Sequence, residues 1–99
     1  MATDSELREL CEQRRLHDAL TRGLSQIGAE IMSFLAASLR DETETREGFS
    51  IFCAALWEAL PTFRWECSFR TWSYVLARHA IGRVVRERGG EELSARQAA

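Results

Sequence analysis

The residues with the clearest chemistry in this chain are aromatic rings and arginines, which are concentrated in one segment of its second half. Leu60–Arg88 contains two of the three tryptophans, the only tyrosine and six of the thirteen arginines. Rings can stack on unpaired nucleic-acid bases, and guanidinium groups can neutralise phosphates. This combination of side chains is therefore what a surface for single-stranded nucleic acid requires.

The densest part of this segment, Phe69–Ala80, has the spacing of an amphipathic helix when it is plotted at about 100° per residue. One predicted face is basic and includes a ring and a glycine: Trp72, Val75, His79, Gly82, Arg83 and Arg86, with Arg78 at its margin. The other face is mostly apolar and can pack on a bundle: Tyr74, Ala77, Ile81, Val84 and Val85. The alternative is an ordinary amphipathic helix with solvated arginines and a tryptophan under a loop.

The first half of the chain predicts the helices that would support this face. A short helix should run to about Gln13, with Thr3 or Asp4 as its N-cap. A second helix should span residues 16–39, because apolar residues recur there at helical spacing. Gly23 and Gly28 weaken that helix, so a bend or a break near them is an open alternative. This half contains no candidate catalytic residue.

A polar turn over residues 40–45 and a third helix over residues 43–60 are predicted next. Thr43 or Thr45 would cap this helix, and acidic residues in its first turn favour its N-terminus. Its apolar arc faces the core with Trp57 at the edge. On the opposite arc, Ile51 is expected to be exposed among acids and alanines, either as part of a docking surface or as an incidental exposed residue.

The last helix is predicted to begin after Ser68, which is a good N-cap, and to end at Gly89-Gly90. Pro61 should end the third helix, leaving a loop over residues 61–67. The sequence therefore predicts an all-α fold: a compact bundle of three long helices plus a short N-terminal one. Residues 1–90 would form the domain, and residues 91–99 a disordered tail or the start of a linker.

Composition and charge limit the class of protein further. Ninety-nine residues are enough for one domain, and no apolar run approaches the length of a membrane span. Residues 1–60 carry a net charge of −5 and residues 61–90 one of +4, so the two parts offer opposite potentials to a partner. The N-terminus has no signal-peptide pattern, and we expect a cytoplasmic protein.

The cysteines and histidines do not form a metal-binding pattern. The three cysteines have no CxxC spacing, and neither histidine completes a ligand set, so we expect free thiols and no metal or other cofactor. The sequence also lacks a nucleophile–base arrangement, a glycine-rich phosphate loop and paired carboxylates. A small helical enzyme is therefore the least favoured interpretation.

The order of the residues resembles conserved region 2 of the bacterial extracytoplasmic-function (ECF) sigma factors of RNA polymerase. That family typically has an acidic helix ending in Trp, a short loop with Pro and Phe-Arg, then Ser-Phe-Arg-Thr-Trp, a motif close to Ala-Arg-Asn and a basic tail. The matching pieces here are Leu56-Trp57, Leu60-Pro61-x-Phe63-Arg64, Ser68-Phe69-Arg70-Thr71-Trp72 and Ala77-Arg78-His79. The likeness extends more weakly from about residue 5 to residue 88.

The resemblance implies a site for the melted non-template strand of a −10 promoter element. In the family, the loop helps to capture a base flipped out of that element, and the following helix meets promoter DNA. The residues implied are Phe63, Arg64, Trp65, Ser68, Arg70, Trp72, His79, Arg83 and Arg86. Two departures, His79 for the usual Asn and Arg83-Val84 for the usual Asp-Arg, should change promoter preference. For Phe63, closing the core beneath the loop is the favoured alternative to base stacking.

The resemblance also implies that the third helix binds the clamp helices of the polymerase β′ subunit. The implied contact residues are Glu47, Ser50, Ile51, Ala54, Ala55 and Glu58. The family usually has Asp, Gln and Glu in this helix, whereas Glu47, Ser50 and Ile51 occupy the matching positions here. The loss of the amide and of one acid could weaken polymerase binding or shift it towards apolar packing.

The sequence therefore predicts a non-enzymatic sigma-factor domain that binds core RNA polymerase and recognises and melts the −10 element. The alternative is a sigma-like interaction module that binds an anti-sigma factor or polymerase without reading DNA. A complete ECF sigma factor has a second helical domain that reads the −35 element, and nothing in this sequence corresponds to it. We expect the chain to be one domain of a longer protein; the alternative is a protein that lacks that half.

Overall fold

The computed structural model describes residues 3–98, with side chains described up to Gly89. The described chain is all-helical, which confirms the predicted fold class. Four α-helices follow one another: α1 (Asp4–Glu12), α2 (Leu16–Leu39), α3 (Glu42–Ala59) and α4 (Phe69–Ala98). A single 3-10 turn, Leu60–Thr62, extends α3, and a loop then leads into α4.

Helix α1 is capped as predicted and packs on α2. The Thr3 hydroxyl accepts a hydrogen bond from the Glu6 amide at 3.2 Å. The apolar stripe of α1 places Leu7 and Leu10 in the core, while Cys11 is half-buried. The Asp4 carboxylate accepts a hydrogen bond from the Phe69 amide at 3.1 Å. The beginning of α1 is therefore tied directly to the first turn of α4.

Helix α2 runs without interruption through both of its glycines, so the bend or break considered from the sequence does not occur. Gly23 is buried, and a Cβ atom there would lie only 2.7 Å from Cζ of Phe69. The phenyl ring of α4 thus lies against bare backbone of α2. The helix accepts the lower propensity of a glycine because a side chain at this position would displace α4.

The connection between α2 and α3 is shorter than predicted, and the predicted caps of α3 are wrong. Arg40 adopts a left-handed conformation with φ of 54°, which lets the chain reverse within two residues. Asp41 then caps α3 by accepting a hydrogen bond from the Glu44 amide at 2.7 Å. Thr45 lies inside the helix, where its hydroxyl donates to the Asp41 carbonyl at 2.7 Å.

Helix α4 packs between α2 and α3 and runs in the same direction as α2. Successive α2 residues meet successive α4 residues: Phe34 and Tyr74, for example, form an edge-to-face pair with ring centroids 5.0 Å apart. Near its other end, Arg88 binds Glu44 of α3 through two hydrogen bonds of 2.7 and 2.8 Å. These contacts fix which face of α4 points outward.

The predicted end of α4 at Gly89-Gly90 is wrong, because the helix continues through both glycines to Ala98. Glycine lowers helix propensity but only favours an end where the chain needs a left-handed residue, and no described glycine has a positive φ. The assignment of residues 91–99 to a disordered tail or the start of a linker stays a prediction. Ala99, the last residue of that segment, lies outside the described residues.

Two glycines of similar helical setting should respond in opposite ways to substitution. Gly23→Ala should lower the free energy of unfolding by about 1–3 kcal/mol, because its new methyl group collides with Phe69. Gly82→Ala should raise it by up to about 1 kcal/mol, because alanine has the higher helix propensity. A Cβ at Gly82 would meet only Arg86 Nη1, at 3.6 Å. Urea unfolding followed by circular dichroism measures both; equal effects would contradict the packing described here.

Ser73 supplies a second stability test, because its side chain is fully buried in α4. Its hydroxyl has no hydrogen-bond partner in the described part of the chain. A buried hydroxyl without a partner costs about 1–3 kcal/mol. We therefore expect Ser73→Ala to raise the free energy of unfolding by about 1 kcal/mol. Ser68→Ala, which removes an N-cap, should instead lower it by about 1 kcal/mol; destabilisation by Ser73→Ala would show that its hydroxyl has a partner.

Candidate nucleic-acid interface

Two residues of the loop between α3 and α4 and one residue of α4, all of them predicted site residues, form one aromatic cluster. The rings of Phe63 and Trp72 are stacked, with centroids 4.1 Å apart and planes 5° from parallel. The Trp65 ring lies on Phe63 at 4.6 Å and 40°. All three side chains are half-buried and pack against the core. Phe63 therefore does close the core beneath the loop, as the favoured alternative held, and it stacks on Trp72, a predicted site residue.

The loop backbone turns sharply at Trp65, where φ is 59°. A bulky residue rarely adopts this left-handed conformation, which costs about 1–3 kcal/mol. Such a cost is tolerated only where neighbouring contacts fix the chain, and here the Trp65 ring packs on Phe63. The sequence contains no glycine or asparagine in this loop, so it gave no signal for the turn.

Ser68 connects the loop to the basic helix, and the predicted cap is confirmed. Its hydroxyl oxygen accepts a hydrogen bond from the Thr71 amide at 3.0 Å. The Asp4 carboxylate adds a negative charge at the same helix N-terminus, where it is favourable. Together these contacts set the position of Trp72, which lies in the next turn.

The outward face of α4 has the composition that the periodicity predicted. Arg78, His79, Arg83 and Arg86 are all exposed, and Gly82 leaves a gap between them. Arg83 forms an ion pair with Glu87 at 3.2 Å. Neither Arg78 nor Arg86 pairs with a carboxylate among residues whose side chains are described. Val85, assigned to the apolar face, is 45% exposed; it is near the limit of the buried arc, so that assignment is wrong.

Arg70 differs from the other predicted DNA-binding arginines because it is engaged within the bundle. Its guanidinium donates to both carboxylate oxygens of Glu30 on α2, at 2.6 to 3.2 Å, and lies 5.5 Å from the centre of the Tyr74 ring. Arg70 is also on the opposite side of α4 from Trp72. The structure thus places it apart from the cluster and from the arginine face.

The exposed arc of α3 contains four of the six predicted polymerase-binding residues: Glu47, Ser50, Ala54 and Glu58. Ala55 and Ile51 are half-buried, and Ile51 packs against the core. The prediction of an exposed Ile51 is therefore wrong, because the buried part of α3 is wider than the predicted apolar arc. Trp57, at the edge of the same arc, is 48% exposed.

The remaining chemistry of the described chain is limited. All three cysteines are free, and burial raises the pKa of the Cys53 thiol. Burial, together with the adjacent Glu12 carboxylate, also raises the pKa of Cys11. Residues with described side chains include no cluster of His, Cys, Asp or Glu that could hold a metal ion. None of the described helices has the length and apolar composition needed to cross a membrane.

Comparison with protein-family models, with curated proteins and with solved structures finds no match for this chain. The fold and the placement of the side chains are therefore the observations on which a function can be argued. Sequence reasoning missed Asp4 and Glu30 as partners of α4, because both contacts join distant parts of the chain. Opposite charge alone does not identify such pairs until the register of the helices is known.

The Glu30–Arg70 pair should make stability depend on acid pH. The hydrogen bond from Arg70 lowers the pKa of Glu30 in the folded state, more than burial raises it. A carboxyl whose folded pKa lies below its unfolded pKa stabilises the fold above the unfolded value and loses that contribution as pH falls through the folded value. The stability difference between wild type and Glu30→Gln should therefore be present at neutral pH and shrink on acidification through the range where glutamate titrates.

Thermal unfolding across acidic and neutral buffers measures this difference, with Glu9→Gln on α1 as the control for an exposed carboxylate outside the pair. The same pairing predicts that Arg70→Ala lowers the free energy of unfolding, because α4 loses this contact with α2. A pH-independent difference for Glu30→Gln would mean that the pair does not stabilise the fold in solution.

Proposed function

We propose that this chain is a sigma-factor domain that binds core RNA polymerase and holds the unpaired non-template strand of a −10 promoter element. The observation that carries the proposal is the ring cluster of Phe63, Trp65 and Trp72 beside Arg64, which continues directly into the arginine face of α4. Rings for bases and cations for phosphates thus occupy one continuous surface. Core polymerase and promoter DNA place this function in the cytoplasm.

The loop offers a place for a flipped base. A hollow of about 330 Å³ opens on the α4 side of the loop, lined by Phe63, Arg64 and Trp72 among others. A base that enters it can stack on an aromatic ring, and its phosphate can meet the Arg64 guanidinium. Extracting a base costs a few kcal/mol, which stacking at about 1–3 kcal/mol per base can offset. Capture of unpaired bases then drives melting without nucleotide hydrolysis, so the proposed function is non-enzymatic.

The proposed polymerase contact uses the exposed arc of α3. Glu47, Ser50, Ala54 and Glu58 are accessible there and lie on a different helix from the arginine face. The acidic arc and the basic face could therefore be occupied at the same time by two partners of opposite charge. The small side chains of Ser50 and Ala54 allow close approach of a second helix.

A second candidate is a sigma-like interaction module that binds an anti-sigma factor or polymerase without reading DNA. The half-exposed Trp57 favours it, because a large exposed ring beside small side chains is typical of a protein-binding surface. The stacking of Phe63 on Trp72 also favours it, because one face of the Trp72 ring is already covered. The two candidates share the α3 surface and differ in the role of α4.

Removing two arginines from α4 separates these candidates. In a complex with core polymerase, Arg83→Ala with Arg86→Ala should weaken retention of a single-stranded −10 oligonucleotide by roughly a hundredfold, because each charge-assisted contact contributes about 1.5 kcal/mol. Arg22→Ala with Arg46→Ala removes the same charge from α2 and α3 and is the matched control. Equal retention by both double variants would point to the interaction module.

The polymerase arm of this experiment needs a substitution at an exposed position. Ala54→Arg suits it better than a change at the half-buried Ile51, because a loss of binding then reports on the surface rather than on folding. We expect at least a tenfold loss of polymerase capture, roughly 1.4 kcal/mol. If the wild-type chain does not bind core polymerase, the sigma-factor proposal is wrong.

A further inference from the structure

Trp65 separates two hollows that lie between the loop and α1, away from the hollow at Trp72. One has a volume of about 300 Å³ and is lined by Arg8, Glu12, Phe63, Arg64 and Trp65 among others. The second, of about 350 Å³, lies between Arg8, Trp65 and Ser68. Arg8 and Trp65 line both. Helix α1, which contains none of the predicted site residues, therefore forms one wall of the ring-lined surface.

The 300 Å³ hollow presents two guanidinium groups, two aromatic rings and the Glu12 carboxylate. Arg64 is exposed and forms no ion pair within the described part of the chain. Arg8 donates from Nε to Glu12 at 3.2 Å, but these side chains are 58% and 66% exposed. An exposed pair at this spacing stabilises a helix only weakly, so Arg8 can exchange Glu12 for a stronger anion such as phosphate. The Glu12 carboxylate is free to turn outward when it does.

This hollow and the one at Trp72 are separate but share a wall. Phe63 and Arg64 line both, so they form the shared wall between the α1 side and the α4 side of the loop. A strand that places one base at Trp72 carries its next phosphate past Arg64. Its neighbouring nucleotide is thereby brought to the hollow that Arg8 and Trp65 enclose.

We infer that the hollow between α1 and the loop is a second nucleotide subsite. The nucleotide adjacent to the one at Trp72 binds there, with its phosphate between Arg8 and Arg64 and its base against the accessible part of the Trp65 ring. The ligand class is one nucleotide of a single strand, and α1 becomes part of the binding surface. This inference rests on the proposed function, because it requires a strand that already occupies the Trp72 side.

The test uses labelled oligothymidines that lengthen by one nucleotide at a time, with binding measured by fluorescence anisotropy at low salt. Binding of each oligothymidine is measured to the purified chain alone and to the chain in complex with core polymerase. For the wild type, we expect the affinity to increase in one step at the oligonucleotide length that first fills the subsite. Arg8→Ala should remove about tenfold of that step, the effect of one charge-assisted contact. It should also reduce the magnitude of the slope of log K against log salt by about 0.7.

Arg46→Ala is the matched control, since Arg46 also forms an exposed ion pair four residues away, with Glu42 at 3.3 Å, but on α3. It should keep both the affinity step and the salt slope. If Arg8→Ala and Arg46→Ala bind alike while the Arg83/Arg86 double variant loses the strand, the subsite is overturned and the proposed function stands. If the wild-type chain binds no oligothymidine, alone or on polymerase, the proposed function falls and the subsite with it.

Discussion

The structure depends on the close approach of Phe69 to the backbone of α2 at Gly23. Because no side chain intervenes, the first turn of α4 lies deeper against α2 than two ordinary helices would allow. This contact sets both the position of α4 along α2 and the rotation of α4 about its own axis. Asp4 and Glu30 reinforce it from α1 and α2 by binding the backbone and the side chain of neighbouring α4 residues. A helix held at three places around its first turns has one orientation, and its arginine face follows from that orientation.

The same constraint explains why the loop is ordered although it contains no regular structure beyond one 3-10 turn. The loop must join the end of α3 to a helix whose start is already fixed, and it does so by stacking its rings on the first turns of α4. Trp65 accepts an unfavourable backbone conformation to place its ring on Phe63. Core packing and the candidate binding surface are therefore built from the same three rings. Any ligand that uses them competes with contacts that stabilise the fold.

The sequence predicted the features that depend on local spacing. Helix periodicity located all four helices, and Ser68 was recognised as a cap because its interaction is made within one turn. The Asp41 cap was missed because threonines nearby were equally plausible. The glycines near residue 89 did not end α4 because glycine lowers helix propensity only weakly. Contacts between distant residues, such as Arg70 with Glu30, could not be predicted, since they require the register of two helices. For the same reason, the contribution of α1 to the loop surface was not visible in the sequence.

The stacked rings also give this surface an optical signature of its own. Trp72 lies nearly parallel to Phe63 with Trp65 tilted beside them, whereas Trp57 is 48% exposed on another helix. Aromatic rings held in a fixed asymmetric array dominate the near-ultraviolet circular dichroism of a protein, while the far-ultraviolet signal reports the helices. The loop can therefore loosen and lose the first signal while the second is unchanged. The state of the binding surface is thus readable in the unlabelled chain, separately from the state of the bundle that carries it.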